Sequence, residues 1–147
     1  MDGNIYLAYG SNMDVEQMAY RCPDAKVIGK GFLDDWRLMF KGSTLGNYAT
    51  IEQCDGFKIP FVLWKISDTD EENLDRYEHF PSFYYKRTVE VVTDAGENFT
   101  AMVYIMYEEN HLGAPSEQYF NVIGAAYDEF NFDKKILDEA LKFSADE

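Results

Sequence analysis

Tyr6-Leu7-Ala8-Tyr9-Gly10-Ser11-Asn12-Met13 is a short apolar strand that runs directly into a Gly-Ser-Asn turn. The turn opens a helix: Asp14 is placed to cap it, and Gln17, three residues on, completes a capping-box pattern. Gly10 lets the backbone take dihedrals that a side chain would forbid, while Ser11 and Asn12 bond readily to nearby backbone. A turn of this kind can aim several N–H groups at one spot, which suits a carboxylate or another anion. Junctions of strand, Gly/Asn turn and helix are common, so a plain turn is the alternative for this segment alone.

Apolar-polar alternation marks further strands on the C-terminal side. Residues 26–41 hold Val27, Ile28, Phe32, Leu33, Trp36, Leu38 and Phe40, which predicts one long or kinked strand with Gly29 and Gly31 at bulges. Residues 47–53 and 58–66 read as a hairpin around Cys54-Asp55-Gly56, with Pro60 at an edge or a bulge. An acidic helix from about Asp68 to Tyr77, capped by Ser67 or Asp68, leads to strands over 83–92 and 98–107, joined by Asp94-Ala95-Gly96-Glu97. Pro115-Ser116 starts a helix with Tyr119, Val122, Ile123, Ala126 and Tyr127 inward, and a last helix over about 133–142 carries Ile136, Leu137, Leu141 and Phe143. The pattern predicts an α+β fold: a small mixed β-barrel of about six or seven strands with flanking helices. No repeat, linker or low-complexity tract interrupts it, so residues 1–147 read as a single domain able to bury its own core.

Composition narrows the partners. A net charge of −14 argues against nucleic acid and anionic membrane surfaces, both of which need clustered Lys and Arg. It also repels small anions at long range, so an anion site must work through local donors. Cys22, Cys54, His79 and His111 have no paired metal spacing, so no zinc signature can be assembled. The chain shows no basic-then-apolar leader and no membrane-length apolar run, and a reduced, cytoplasmic setting is the expectation. Nothing resembles a heptad, and oligomeric state stays open.

Most of the 27 acidic residues lie in runs that read as solvated faces. Glu78 differs, because it stands at a helix end in Leu74-Asp75-Arg76-Tyr77-Glu78-His79-Phe80-Pro81, between aromatic neighbours. An apolar setting disfavours the ionised carboxylate and lifts its pKa toward neutrality, which makes Glu78 a candidate general acid/base. The competing reading is a helix-terminal Glu paired with Arg76 or solvated. His79 and His111 invite triads with Ser11, Ser82 or Ser116, but no G-x-S-x-G elbow exists. Gly29-Lys30-Gly31 lacks the third glycine of a dinucleotide loop. Phe83-Tyr84-Tyr85 reads as cross-strand packing rather than a stacking platform, and Tyr119 either faces a pocket or packs.

Taken together, these segments resemble the γ-glutamylcyclotransferase-like family. Tyr6 to Met13 is similar to its glycine-serine-asparagine loop, and Gly46-Asn47-Tyr48-Ala49-Thr50-Ile51 to its short Gly-x-x-Ala strand. Leu74-Asp75-Arg76-Tyr77-Glu78 matches the segment that carries the family's catalytic glutamate, and Pro115-Ser116-Glu117-Gln118-Tyr119 its Pro-Ser-x-x-Tyr helix. One departure is His79, where the family commonly has Gly. The resemblance implies a small barrel with flanking helices and a reaction in which a γ-glutamyl α-amine attacks its own γ-amide, releasing 5-oxoproline and an amine without a metal or cofactor. It implies Glu78 as the acid/base, the backbone of Gly10, Ser11 and Asn12 as the substrate-binding loop, and Tyr9 and Tyr119 as orienting or walling residues. A γ-glutamyl-amino acid or γ-glutamyl-amine is then the small-molecule partner. A module that binds an amino-acid-like ligand without catalysis is the alternative.

Overall fold

The computed structural model describes residues 4–43 and 45–145. The opening apolar segment becomes β1 (Asn4–Ala8), with strands on both of its edges: β3 (Gly46–Ile66) antiparallel and β5 (Asn98–Met106) parallel. A 3₁₀ turn over Ser11–Met13 and a short helix, α1 (Val15–Arg21), follow it. The Asp14 carboxylate caps the helix by accepting from the Gln17 N–H at 3.0 Å, but the predicted capping box does not close, because the Gln17 side chain accepts from Arg21 instead. Next come β2 (Lys26–Ser43), β3, α2 (Asp68–Tyr77), β4 (Tyr84–Val92), β5, β6 (His111–Leu112), α3 (Glu117–Glu129) and α4 (Lys134–Ala145). The six strands form one mixed sheet in the order β4-β5-β1-β3-β2-β6, in agreement with the expected mixed architecture.

The sheet curls into a half-barrel. Its two long strands bend together where Asp35 adopts a left-handed φ of 68° and its carboxylate accepts the Gly56 N–H at 3.2 Å. At the far side, the turn after β4 folds back onto β2, and the Asp94 N–H donates to the Lys30 carbonyl at 2.8 Å. Gly29 and Gly31 make room for that approach: a Cβ on Gly29 would meet Thr93 Cγ2 at 2.8 Å, and one on Gly31 would meet the Val92 carbonyl at 3.1 Å. The bulge itself falls at Ile28, beside Gly29, whereas Gly31 is in regular register with Phe61.

The hairpin expected around Cys54-Asp55-Gly56 is not one. Residues 47–53 and 58–66 are two halves of β3, both paired to β2, and Cys54 to Phe57 are accommodated at the shared bend. The chain reverses instead between Ser43 and Gly46, which pair with each other. Pro60 pairs with Phe32 on β2, beyond the point where β1 stops at Val62, so its missing N–H falls where no β1 residue pairs with β3.

Helices cover the sheet through named contacts. Ser144 of α4 is buried; its hydroxyl accepts from the Phe40 N–H and donates to the Ala140 carbonyl, both at 2.8 Å. The buried face of α4 is therefore Leu137, Ala140 and Ser144, with Ile136, Leu141 and Phe143 only half-buried beside it. α2 starts with a full capping box, Ser67 to Asp70, and the Asp70 side chain is buried. No helix among the described residues is long and apolar enough to cross a membrane.

Candidate active site

β1 delivers the Gly-Ser-Asn loop to a cavity of about 360 Å³ that also receives the end of α2, the start of α3 and side chains of β3, β4 and β5. Tyr9, Gly10, Ser11, Asn12, Glu78 and Tyr119, scattered over the sequence, all line it. Among the described residues no group of three or more His, Cys, Asp or Glu is arranged to hold a metal ion.

The end of α2 places Glu78. The His79 N–H donates to the Arg76 carbonyl at 3.3 Å and the Phe80 N–H to the Asp75 carbonyl at 2.9 Å. These two bonds make a Schellman stop, which needs a left-handed residue directly after the cap. His79 is that residue, with φ 54°. A glycine would take this conformation freely, so a turn that ordinarily uses Gly is kept here by a histidine. Arg76 donates to Asn73 Oδ1 and forms no ion pair with Glu78, so the pairing offered as the competing reading does not form.

The Glu78 carboxyl faces phenol rings: Tyr6, Tyr9, Tyr84 and Tyr119 all lie close enough to feel its charge. No hydrogen bond from the described residues compensates its ionised form, and burial pushes it up to about 8 against the opposing pull of the Arg21 guanidinium. Burial also holds those four phenols well above their ordinary range, so they stay neutral. A carboxyl that titrates near neutrality in an uncharged wall can both take and give a proton.

Ala49 organises the opposite wall. Its N–H donates to the Tyr119 hydroxyl at 3.1 Å, and its carbonyl accepts from the Tyr84 hydroxyl at 2.7 Å. The Tyr9 hydroxyl donates to the Tyr104 carbonyl at 2.7 Å. Tyr9 and Tyr84 thus commit their protons to backbone and act as walls, whereas Tyr119, accepting from Ala49, keeps its proton for another partner. Gly10 is pressed against this wall: a Cβ there would stand 3.2 Å from Ala49 Cβ and 3.7 Å from the Tyr119 oxygen. The loop is tied to α2 by the Ser11 and Tyr77 hydroxyls, 3.2 Å apart. As the first residues of a 3₁₀ turn, Ser11 and Asn12 have N–H groups without intrahelical acceptors, and none of the described groups takes their place.

Sequence reasoning missed Tyr6, Tyr77, Tyr84 and Arg21. Tyr84 sits in a tyrosine-rich strand where packing is the natural reading, and it does pack. Arg21 carried no local signal beyond its position in the last turn of a helix.

A family model described as gamma-glutamyl cyclotransferase, AIG2-like, matches residues 6–121. The chain belongs to this family. It is 34% identical over 129 residues to the gamma-glutamylcyclotransferase of Homo sapiens, covering 81% of this chain and 67% of that one. It is 33% identical over 127 residues to the gamma-glutamylcyclotransferase of Bos taurus, with the same shares. A solved structure of a gamma-glutamyl cyclotransferase superposes with a TM-score of 0.83 at 28% identity, covering 93% of this chain and 85% of that one. The mixed sheet with its flanking helices is therefore the fold of that enzyme, and the family match spans every segment that lines the cavity.

Proposed function

We propose that this protein is a cyclotransferase that converts a γ-glutamyl-amino acid or γ-glutamyl-amine to 5-oxoproline and the free amine. The observation that carries the reading is Glu78: a half-buried carboxyl at the end of α2, facing a tyrosine-walled cavity beside the loop, where desolvation pushes it up to about 8. The family membership agrees with it. A cavity of about 360 Å³ suits a ligand of dipeptide size.

The reaction joins the substrate's α-nitrogen to its own γ-carbonyl carbon and breaks the bond from that carbon to the leaving nitrogen. Attack within one molecule, once the chain is held folded, replaces an encounter worth an effective molarity of about 10⁵–10⁸ M. Proton traffic is what remains. Glu78, ionised, takes a proton from the attacking nitrogen and then returns it to the leaving nitrogen, so the carboxyl ends as it began. The N–H groups of Gly10, Ser11 and Asn12 bind the substrate's α-carboxylate or amide oxygen. These close donors outweigh the distant field of a chain of net charge −14, which salt screens. Tyr119 orients Glu78 or the substrate through its free proton, and Tyr9 walls the pocket. The chemistry calls for no metal or cofactor.

The test is 5-oxoproline release from a panel of γ-glutamyl dipeptides, γ-glutamyl-ε-lysine, γ-glutamyl-alkylamines and glutathione. Release from at least one class is expected. A folded protein that releases 5-oxoproline from none, yet is stabilised by them, would instead be a ligand-binding module.

A further inference from the structure

Arg21 does not line the cavity, yet two of the segments that do, the opening loop and the end of α2, meet at its guanidinium. Nη1 donates to Asn12 Oδ1, and Nη2 donates to Gln17 Oε1 at 2.7 Å. The guanidinium carbon stands 3.5 Å from the centre of the Tyr77 ring. The Arg21 carbonyl also accepts from Asn73 Nδ2 at 3.1 Å, a second tie from α1 to α2. A planar, always-charged fork can do this; an ammonium cannot stack and bridge at once.

The bond to Asn12 has a directional consequence. A guanidinium only donates, so Asn12 must turn its amide oxygen toward Arg21. Its Nδ2 then donates to the Tyr6 hydroxyl at 3.0 Å. The Tyr6 hydroxyl, accepting there, has its own proton free for the cavity it lines with Glu78. Tyr77, stacked on Arg21 and bonded to Ser11, is the residue directly before Glu78.

We propose that Arg21 is a positioning residue of the cyclisation: it sets the Asn12 amide and the Tyr77 ring, and through them the geometry in which Glu78 exchanges protons with the substrate. The inference rests on Glu78 being the acid/base, as argued above. Electrostatics supports it. The groups facing Glu78 from other elements are Tyr6, Tyr9, Tyr84 and Tyr119, all held neutral by burial, and Arg21, which opposes the rise that burial causes. On its own turn, Tyr77 and His79 flank it and Arg76 is turned to Asn73. Removing Arg21 therefore removes the charge that opposes the burial of Glu78.

The experiment compares wild type, Arg21→Met and Arg21→Lys on a γ-glutamyl dipeptide that the wild type turns over. Misplacement of the machinery should lower kcat by about 10- to 100-fold in both variants. The acidic limb of kcat/KM should move up by about one pH unit in Arg21→Met only, because lysine keeps the charge. A ¹³C NMR titration of the Glu78 side-chain carboxyl in wild type and Arg21→Met reads the same shift without turnover. It decides the electrostatic part even if the wild type releases no 5-oxoproline, a result that would instead overturn the functional reading. An unmoved carboxyl titration in folded Arg21→Met, or wild-type kcat in both variants, overturns the proposal. Should Arg21→Met not fold, Arg21→Lys decides: reduced kcat with an unmoved limb supports the role, and wild-type kcat contradicts it.

Discussion

Glu78 is a group whose usefulness and whose cost have one origin. Burial among phenol rings raises its pKa from 4.5 to about 8. A group raised on folding lends stability that is complete below its unfolded pKa and is lost as pH climbs through its folded one. For Glu78 that window runs from 4.5 to about 8, and the loss is on the order of a few kcal/mol. Glu78→Gln cannot ionise, so it should gain on the wild type as pH rises. Thermal denaturation of both at about pH 5 and about pH 8.5 reads the difference. A gap that does not widen with pH would mean that the carboxyl is solvated after all. Its aromatic chain neighbours only made this residue a candidate, and the phenols that surround it, Tyr6, Tyr9, Tyr84 and Tyr119, arrive from elsewhere in the chain. Its electrostatic partner was not legible, because Arg21 reaches it through the fold, and Arg76, the near neighbour in the chain, turns out to Asn73.

At the scale of elements, the end of α2 and the opening loop hold the site, and each was read from local chemistry. The Asp14 cap and a Ser67 or Asp68 cap were legible because cap residues act within one turn; the structure selects Ser67 and closes a capping box with Asp70 that the sequence reading did not name. The β2–β3 pair was misread for the same reason. Cys54-Asp55-Gly56 has turn chemistry, but Asp35, far away in the chain, takes the left-handed conformation that turns this stretch into a bend within one long strand. His79 supplies the test at this scale. Its left-handed backbone costs a non-glycine residue about 1–2 kcal/mol, and a β-branched side chain fits worse still. His79→Val should lower stability by at least about 1 kcal/mol, read by denaturant titration, with no comparable loss for His79→Gly. Equal stability of the two variants would show that the Schellman stop is not under conformational strain.

For the whole molecule, strand identity was written in alternation, but strand order was not. The parallel neighbour of β1 is β5, nearly a hundred residues on, and no local pattern names that partner. The cavity is a product of that order. It gathers Tyr9, Glu78, Tyr84, Tyr104 and Tyr119 from five separate stretches of chain around the Ala49 backbone. The sequence listed most of these residues without saying that they meet. Only resemblance to a family supplied their meeting in advance. What such an assembly should do is concentrate proton transfer in one carboxyl. The most direct measurement is 5-oxoproline release by wild type and by Glu78→Gln at saturating γ-glutamyl dipeptide. Turnover should fall by about 10²- to 10⁴-fold in a variant that keeps the wild-type fold, the usual worth of a positioned acid/base. A folded Glu78→Gln that turns over like the wild type would contradict the account at its centre.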